Sequence, residues 1–454
     1  MKKLLLIGAA TLIVSNPTFA GGILTNTNQH AAFLRMLSRG ATTEIDGALS
    51  NPAGLAFLPK DGFHVGLSIQ SAYQTRNIDA SFMTYDLKDG VPAVSDKPFE
   101  KYYEGTAAAP VIPSLFAAYK KGDWTISGFF AITAGGGKAS FDDGLPMFDA
   151  SAMAGIFQTT KKQHEVDPQN PIVTPNMYNI TSAMDGKQYI YSLQLGLSYK
   201  ATEWLSVFGG GRMNYFTGGY KGFLNAIVKG TDTNLLPLAL DCDQTGWGLT
   251  PVIGVDAKLG KLNIGAKYEF KTNLNIENNT KNITYPPSAK NMVAPYEHGV
   301  NTPNDIPAMF SIAAAYEFLP VLRASVEYHF YDDKNAGMAN DKQKYLTKGT
   351  NEYLAGIEWD ATKQLTLSCG GQITDYGLSD GFQTDTSFSC DSYTLGFGAK
   401  VKMNQHLNLN VGYMWTTYED YTQTSKNYNN TGLPGTNVYS RTNKVFGLSV
   451  DYSF

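Results

Sequence analysis

From residue 63 to the C-terminus, apolar and polar residues alternate in blocks with a period of two. That is the pattern of strands with one greasy face and one polar face. The last block, VFGLSVDYSF, places Phe446, Leu448, Val450, Tyr452 and Phe454 on one side and Gly447, Ser449, Asp451 and Ser453 on the other. LRASVEYHFY sets Leu322, Ala324, Val326, Tyr328 and Phe330 against Arg323, Ser325, Glu327 and His329. LNIGAKYEF, YTLGFGAKVK and LNLNVGYMW repeat the scheme. About fourteen such blocks occur, near 63–78, 111–121, 124–137, 188–200, 204–220, 246–259, 262–275, 306–318, 321–332, 352–361, 364–376, 392–403, 406–419 and 442–454.

The connections sort into two kinds. After even-numbered blocks they are short (KKGD, KATE, KLGK, FLPV, DATKQ, MNQH); after odd-numbered blocks they are long, notably 79–110, 138–187, 221–245, 276–305, 333–351 and 420–441. Short turns at one end and long loops at the other are the asymmetry of a bacterial outer-membrane barrel, and an even count puts both chain ends in the periplasm. A soluble sandwich would not need aromatic residues near the ends of the apolar faces, as at Tyr328, Phe330, Tyr413 and Trp415. The fold class expected is therefore all-β: a transmembrane antiparallel β-barrel of about 14 strands.

Composition agrees. Charged residues make up 17% of the chain and aromatics 12%, with 27 Tyr, 24 Phe and 45 Gly. The charged share is below the roughly 25% of soluble domains. The first twenty residues read as an export signal: Lys2 and Lys3, the apolar run LLLIGAATLIV, and a small-residue exit with cleavage expected after Ala20. Beyond it no apolar run is long enough for a helical span. The whole chain has a formal net charge of −4, and loss of the two lysines makes it −6; no clustered basic surface for nucleic acid is expected. Three cysteines (Cys242, Cys369, Cys390) cannot all pair and carry no metal spacing; a Cys242–Cys390 bridge is one arrangement open to outer loops. No metal and no cofactor is expected.

Residues 21–62 do not alternate. NQHAAFLRMLSRGATTEIDGALSNPAGLAFL reads as short helices broken by Gly40, Gly47 and Gly54, with Asn51 as an N-cap and Pro52 at the first helical position. The segment is too short for a domain and too apolar to hang in solvent. Fourteen strands enclose a bore wider than their own side chains fill, so the expected place for it is the lumen. The domain reading is signal peptide 1–20, N-terminal hatch 21–62 and transmembrane barrel 63–454.

On RGATTEIDGALSNPAGL, the terminal aromatic and this architecture, the chain resembles the FadL/TodX family of outer-membrane long-chain fatty-acid and hydrocarbon transport proteins. The resemblance implies a hatch inside the barrel, with Asn51, Pro52, Ala53 and Gly54 as its gating motif. It implies a lateral gap in a kinked third strand, for which Gly135, Gly136 and Gly137 are the candidates; the other reading is that these glycines begin the loop at 138. It implies a monomer embedded in outer-membrane lipid, with Phe454 as the signal to the barrel-assembly machinery. The implied function is passive, hatch-gated transport of a hydrophobic small molecule, not enzymatic activity.

The outer loops hold apolar residues that a plain porin would not need: Met147, Phe148, Met153, Ile156 and Phe157, and Leu235, Leu236 and Leu238. They are ligand-capture candidates, with mutual loop packing the competing reading. GLSDG at 377–381 matches a nucleophile pattern but lacks the strand–turn–helix setting that chemistry needs. Two other functions stay open: a general porin for polar solutes, and a surface receptor, for example one binding haem.

Overall fold

The computed structural model describes residues 24–454; the export signal expected at 1–20 lies outside them. Fourteen antiparallel strands form the wall. They are β1 (Gly62–Phe82), β2 (Gly105–Lys121), β3 (Trp124–Phe141), β4 (Tyr178–Lys200), β5 (Leu205–Val228), β6 (Leu238–Leu259) and β7 (Leu262–Glu269, resuming as Asn275–Thr284). Then follow β8 (Met309–Leu319), β9 (Leu322–Tyr331), β10 (Thr350–Asp360), β11 (Leu365–Asp375), β12 (Ser392–Lys402), β13 (Leu407–Tyr418) and β14 (Gly435–Ser453). Each pairs with its neighbour in sequence, and β1 closes the cylinder on β14 from His64↔Ser453 to Phe82↔Gly435. Closure removes the sheet edge, which hydrocarbon does not tolerate.

The two faces divide as the alternation requires. On β14, Phe446, Leu448, Val450, Tyr452 and Phe454 are exposed, and Ser449, Asn443 and Val445 are buried. Leu195, Leu249 and Leu395 are each more than 60% exposed; so wide an apolar surface is a lipid-facing belt. Aromatic rings edge it near the short turns, where Trp124 lies 4.3 Å from Tyr199 and Phe63 lies 4.6 Å from Tyr119. Among the described residues no helix is long and apolar enough to cross a membrane; this chain crosses with strands.

The strands run further than the alternation indicates. β4 begins at Tyr178 rather than near 188, β5 continues to Val228 rather than 220, and β14 begins at Gly435 rather than 442. Above the lipid the outer face meets water, while the inner face packs on the loops through scattered residues such as Tyr178, Leu224, Ala226 and Tyr439, so the ladder continues without a lipid-facing apolar stripe to reveal it. The loops expected at 138–187 and 221–245 are correspondingly shorter. Over the outer mouth the loops build helix α3 (Pro146–Val166) and several short strands. Cys242 and Cys390 are both buried there as free thiols, so the bridge left open by the sequence is not formed.

Candidate functional site

Residues 24–61 occupy the lumen. Helix α1 (Ala31–Arg35) packs on the inner face of β12–β14, burying Phe33, Leu34 and Leu37 beside Met414 and Val445. On the opposite wall, the turn α2 (Gly47–Ser50) and the 3-10 helix Pro52–Phe57 bury Ile45, Leu55 and Leu58 against Phe116 and Phe129. The polar inner wall satisfies the segment's backbone. Ser198 Oγ donates to the Pro52 carbonyl and Ser206 Oγ to the Ala53 carbonyl, each at 2.7 Å. Gln194 and Lys267 side chains donate to the carbonyls of Ala48 and Leu49. Glu327 and Glu352 accept from the Gly40 and Asn26 N–H groups at 2.8 and 2.9 Å.

Charge fixes the segment at one level. The fully buried Arg35 donates to Glu358 at 2.5 Å, to Asn410 at 2.9 Å and to Ser368 at 3.1 Å. Arg39 grips Asp46 with two nitrogens, at 2.7 and 2.9 Å, and Glu44 at 2.9 Å. Glu44 also meets Lys400 on the wall. His30 accepts the Ala32 N–H at Nδ1 and faces Asp451 through Nε2 at 2.9 Å, the pattern of a neutral Nε2–H ring.

Burial works against the Glu44 charge, but Lys400, Arg39 and Arg35 outweigh it and hold this carboxyl well below its ordinary range. A depressed carboxyl stabilises the docked state above its unfolded pKa, and that stabilisation is lost only as pH falls through the lower, docked value. The segment is therefore expected to stay protease-resistant from neutral pH down to about 4.5, an unperturbed Glu being near 4.3. Release is expected only in stronger acid. Release between pH 7 and 5 in a limited-proteolysis series would contradict this.

The Asn51–Pro52–Ala53–Gly54 turn sits against β4–β7. Pro52 opens the 3-10 helix, but Asn51 makes no side-chain cap. Its amide points outward, donating to the Val255 carbonyl and to Asp256 Oδ2, both at 3.1 Å. The N-cap expected from sequence is thus corrected: the wall offers two acceptors, and a short 3-10 turn gives its own N–H groups little claim on the side chain. Gly54 lies so close to the chain at Thr42 that a Cβ would stand 2.4 Å from the Thr42 carbonyl oxygen. Gly54→Val is expected to loosen the segment by about 1–3 kcal/mol, the usual effect of overpacking, and to speed proteolysis within 24–61 while the barrel stays folded. An unchanged cleavage rate would contradict the close approach.

The wall is interrupted in one place beside this segment. β2 and β3 pair from Lys121↔Trp124 to Ser114↔Ala131, then resume at Ala108↔Lys138. Residues 109–113, including Pro110 and Pro113, therefore face 132–137 without a ladder. The β3–β4 register also slips twice, between Ile132 and Ala134 and between Ala134 and Gly137. Gly135 and Gly137 have φ of +108° and +82°, and a Cβ on either would stand 2.1 Å from the Gln188 carbonyl oxygen or 2.3 Å from that of Ala108. Only glycine meets both demands. Gly136 lies between them; all three are inside the strand, which runs on to Phe141, and not at the start of a loop.

A cavity of about 140 Å³ lies against this interruption. Asn26, Thr27 and Gln29 of the N-terminal segment border it, Ile132, Ala134, Gly135 and Gly137 line it on β3, and Arg76, Phe388, Tyr418 and Arg441 line it on other elements. At roughly 10–15 Å³ of such space per water, it holds about ten waters. The sequence reading passed over Arg76 and Arg441, although both occupy inward-facing positions of their strands.

The loop candidates lie above. Met147 and Met153 are buried with Tyr103, Phe388, Tyr428 and Tyr439. Ile156 joins Leu224, Leu236, Met292 and Val293, with Phe148, Leu235 and Leu238 against that cluster. Phe157 is buried and stacks 5.1 Å from Tyr85. These side chains pack the loops onto one another, and none lines the lumen cavity. Asp385 ties the lid from another loop, accepting the Met147 N–H at 2.7 Å and the Tyr439 hydroxyl at 2.9 Å.

No family model matches the chain, and no curated protein matches it either. Solved structures do. The crystal structure of a Pseudomonas aeruginosa FadL homologue superposes with a TM-score of 0.66 at 15% identity, over 96% of this chain and 100% of that one. The Pseudomonas putida toluene transporter TodX superposes with a TM-score of 0.54 at 13% identity, over 95% and 100%. The chain has the fold of these FadL and TodX barrels.

Proposed function

We propose that this protein is an outer-membrane passage for hydrophobic small molecules, stoppered toward the periplasm by residues 24–61. The proteins of like fold include a FadL homologue and a toluene transporter, and long-chain fatty acids or aromatic hydrocarbons are the cargo classes this suggests. One observation carries the reading: the lumen cavity is bordered by the N-terminal segment and meets the wall where β2 and β3 are unpaired. An apolar ligand gains about 25 cal/mol for each Å² it removes from water, so capture needs a pocket and no reaction. Exit through the interruption delivers it to lipid; exit to the periplasm would need the Arg35 and Arg39 network broken.

In this reading the Asn51–Gly54 turn sets the stopper's resting position and Gly135–Gly137 keep the side exit open. The apolar loop residues from Met147 to Phe157 and from Leu235 to Leu238 admit ligand by loosening their packing. Phe454 serves barrel assembly, and the chain works as a monomer. The test is native mass spectrometry of protein extracted in mild detergent. A bound lipid-like or hydrocarbon mass is expected; steady large conductance in planar bilayers with no apolar ligand would favour a porin, and tight haem binding a receptor.

A further inference from the structure

The buried carboxylates around the N-terminal segment face basic side chains, with one exception. Asp46 meets Arg39, Glu269 meets Arg212 and Lys267, Glu358 meets Arg35, and Glu327 and Glu352 share the ring of His329. Asp256 on β6 is wholly buried and has no ion pair among the described residues. Lys258, two positions nearer the rim, is exposed and lies over the Phe57 ring at 6.0 Å.

The hydrogen-bond partners of Asp256 are neutral. Its Oδ2 accepts the side-chain amides of Asn51 at 3.1 Å and of Asn263, on β7, at 3.2 Å. Its Oδ1 accepts nothing, and the amide oxygens of Asn51 and Asn263 are likewise buried without a hydrogen bond. Backbone oxygens crowd the same place. Asn51 Nδ2 also donates to the Val255 carbonyl at 3.1 Å, and Asn263 Nδ2 to that of Ala41 at 2.9 Å. A Cβ on Gly265 would stand 2.1 Å from the Gly40 carbonyl oxygen and 3.2 Å from Asp256 Oδ2. One on Gly54 would stand 2.4 Å from the Thr42 carbonyl oxygen and 3.3 Å from the same Oδ2. The contact between the N-terminal segment and β6–β7 is thus rich in acceptors.

A buried carboxylate met by neutral donors alone keeps much of its desolvation cost, and each orphaned acceptor adds to it. Here the three orphaned oxygens belong to side chains already in contact, Asn51 and Asn263 both holding Asp256. A hard cation bonds oxygens, carboxylate and amide or backbone carbonyl alike. It would take these three without displacing either amide from Oδ2, and the carbonyls of Gly40 and Thr42 stand beside the carboxylate to complete its shell. Charge sets the valence. One carboxylate balances one positive charge, whereas a divalent ion would leave a net charge buried. We infer that Asp256, Asn51 and Asn263 bind a single alkali cation, sodium in the first place, which clamps the Asn51–Gly54 turn to β6 and β7. The hold of the N-terminal segment on the wall then depends on that ion, whatever the cargo.

The test follows protease cleavage within 24–61 of the detergent-held protein at pH 8, in sodium chloride and in choline chloride of equal ionic strength, so that screening is the same in both. An ion that binds only the docked segment holds it docked, and cleavage is expected to run roughly fivefold or more slower in sodium. In Asp256→Asn, checked for assembly by its heat-modifiable migration, the two salts should give one rate. Should that variant fail to assemble, Asn263→Ala is expected to shrink the difference. Equal rates in the parent overturn the inference, the carboxyl then being satisfied by its amides with a proton or water. A sodium effect kept whole in the variants also overturns it, by placing the ion elsewhere. So does calcium chloride of equal ionic strength protecting as well as sodium, because the charge balance admits one positive charge. Cargo binding, read by native mass spectrometry, is independent of these outcomes, so the transport reading stands or falls separately.

Discussion

Deletion of residues 24–61 is expected to leave a folded barrel that conducts polar solutes. Every rung of the ladder, including the β1–β14 closure, is made by residues from Gly62 onward, so the cylinder does not need the segment for its backbone bonds. Its removal bares Ser198, Ser206, Glu327, Glu352 and Glu358 on the inner wall, groups that water solvates readily. Conductance in planar bilayers should rise roughly tenfold or more over the intact chain, because a bore of this strand number is wider than its side chains fill. Arg35→Ala should give a partial version. It removes the shortest partner of Glu358 and leaves Arg39 at 3.7 Å and Arg323 at 3.4 Å, so the cost stays below the roughly 3–5 kcal/mol of a wholly unpaired buried charge and would show as intermittent opening. A deleted barrel that remains impermeable would mean that another element closes the bore.

The wall was legible in the sequence because lipid enforces period two. Wherever a strand crosses hydrocarbon, residues such as Leu448 and Val450 must be apolar and their neighbours free to be polar, and one residue of slip would invert both faces. Above the membrane that constraint lapses, which is why the upper reaches of β4, β5 and β14 escaped notice. The interruption was only half legible. Three glycines in a row announce a departure from regular pairing, but whether they end a strand or bend it depends on Gln188 and Ala108, more than twenty residues away on other strands. The cavity was not legible at all. Thr25, Gln70, Arg76, Gln188 and Arg441 meet because the cylinder closes and the leading segment folds back inside, and no local pattern reports on that. A search for cations at inward positions without a facing carboxylate would have found Arg76 and Arg441 once the register was known.

These parts act on one another. The N-terminal segment borders the cavity, the glycine bulges of β3 line its side, and Ser387 and Phe388 of an outer loop line it too, so the three boundaries differ in strength. The ion network below is strong, the lid is held by packing and a few bonds to Asp385, and the interruption lacks the β2–β3 rungs while β2 keeps its pairing with β1 and β3 part of its pairing with β4. On the transport reading proposed above, a ligand in the cavity meets its weakest barrier sideways, toward lipid.

Removal of Gly135 and Gly136 is expected to abolish passage of hydrophobic cargo without opening the barrel to polar solutes. Between Ile132 and Gly137 the chain takes five steps while β4, from Tyr191 to Gln188, takes three. Removing two residues therefore brings β3 into continuous register with β4, and because the side-chain period is two, neither flank changes face. The unpaired stretch against β2 shortens, Gly137 is freed from its positive φ, and the strain of about 1–3 kcal/mol carried by such a residue when it is not glycine no longer constrains the site. The variant should assemble normally, by its heat-modifiable migration on gels, and its stopper should resist protease as before. Uptake of a fluorescent fatty-acid probe into cells carrying it should fall to the level of cells without the protein. Undiminished uptake in a well-folded variant would show that cargo leaves past the stopper and not through the wall.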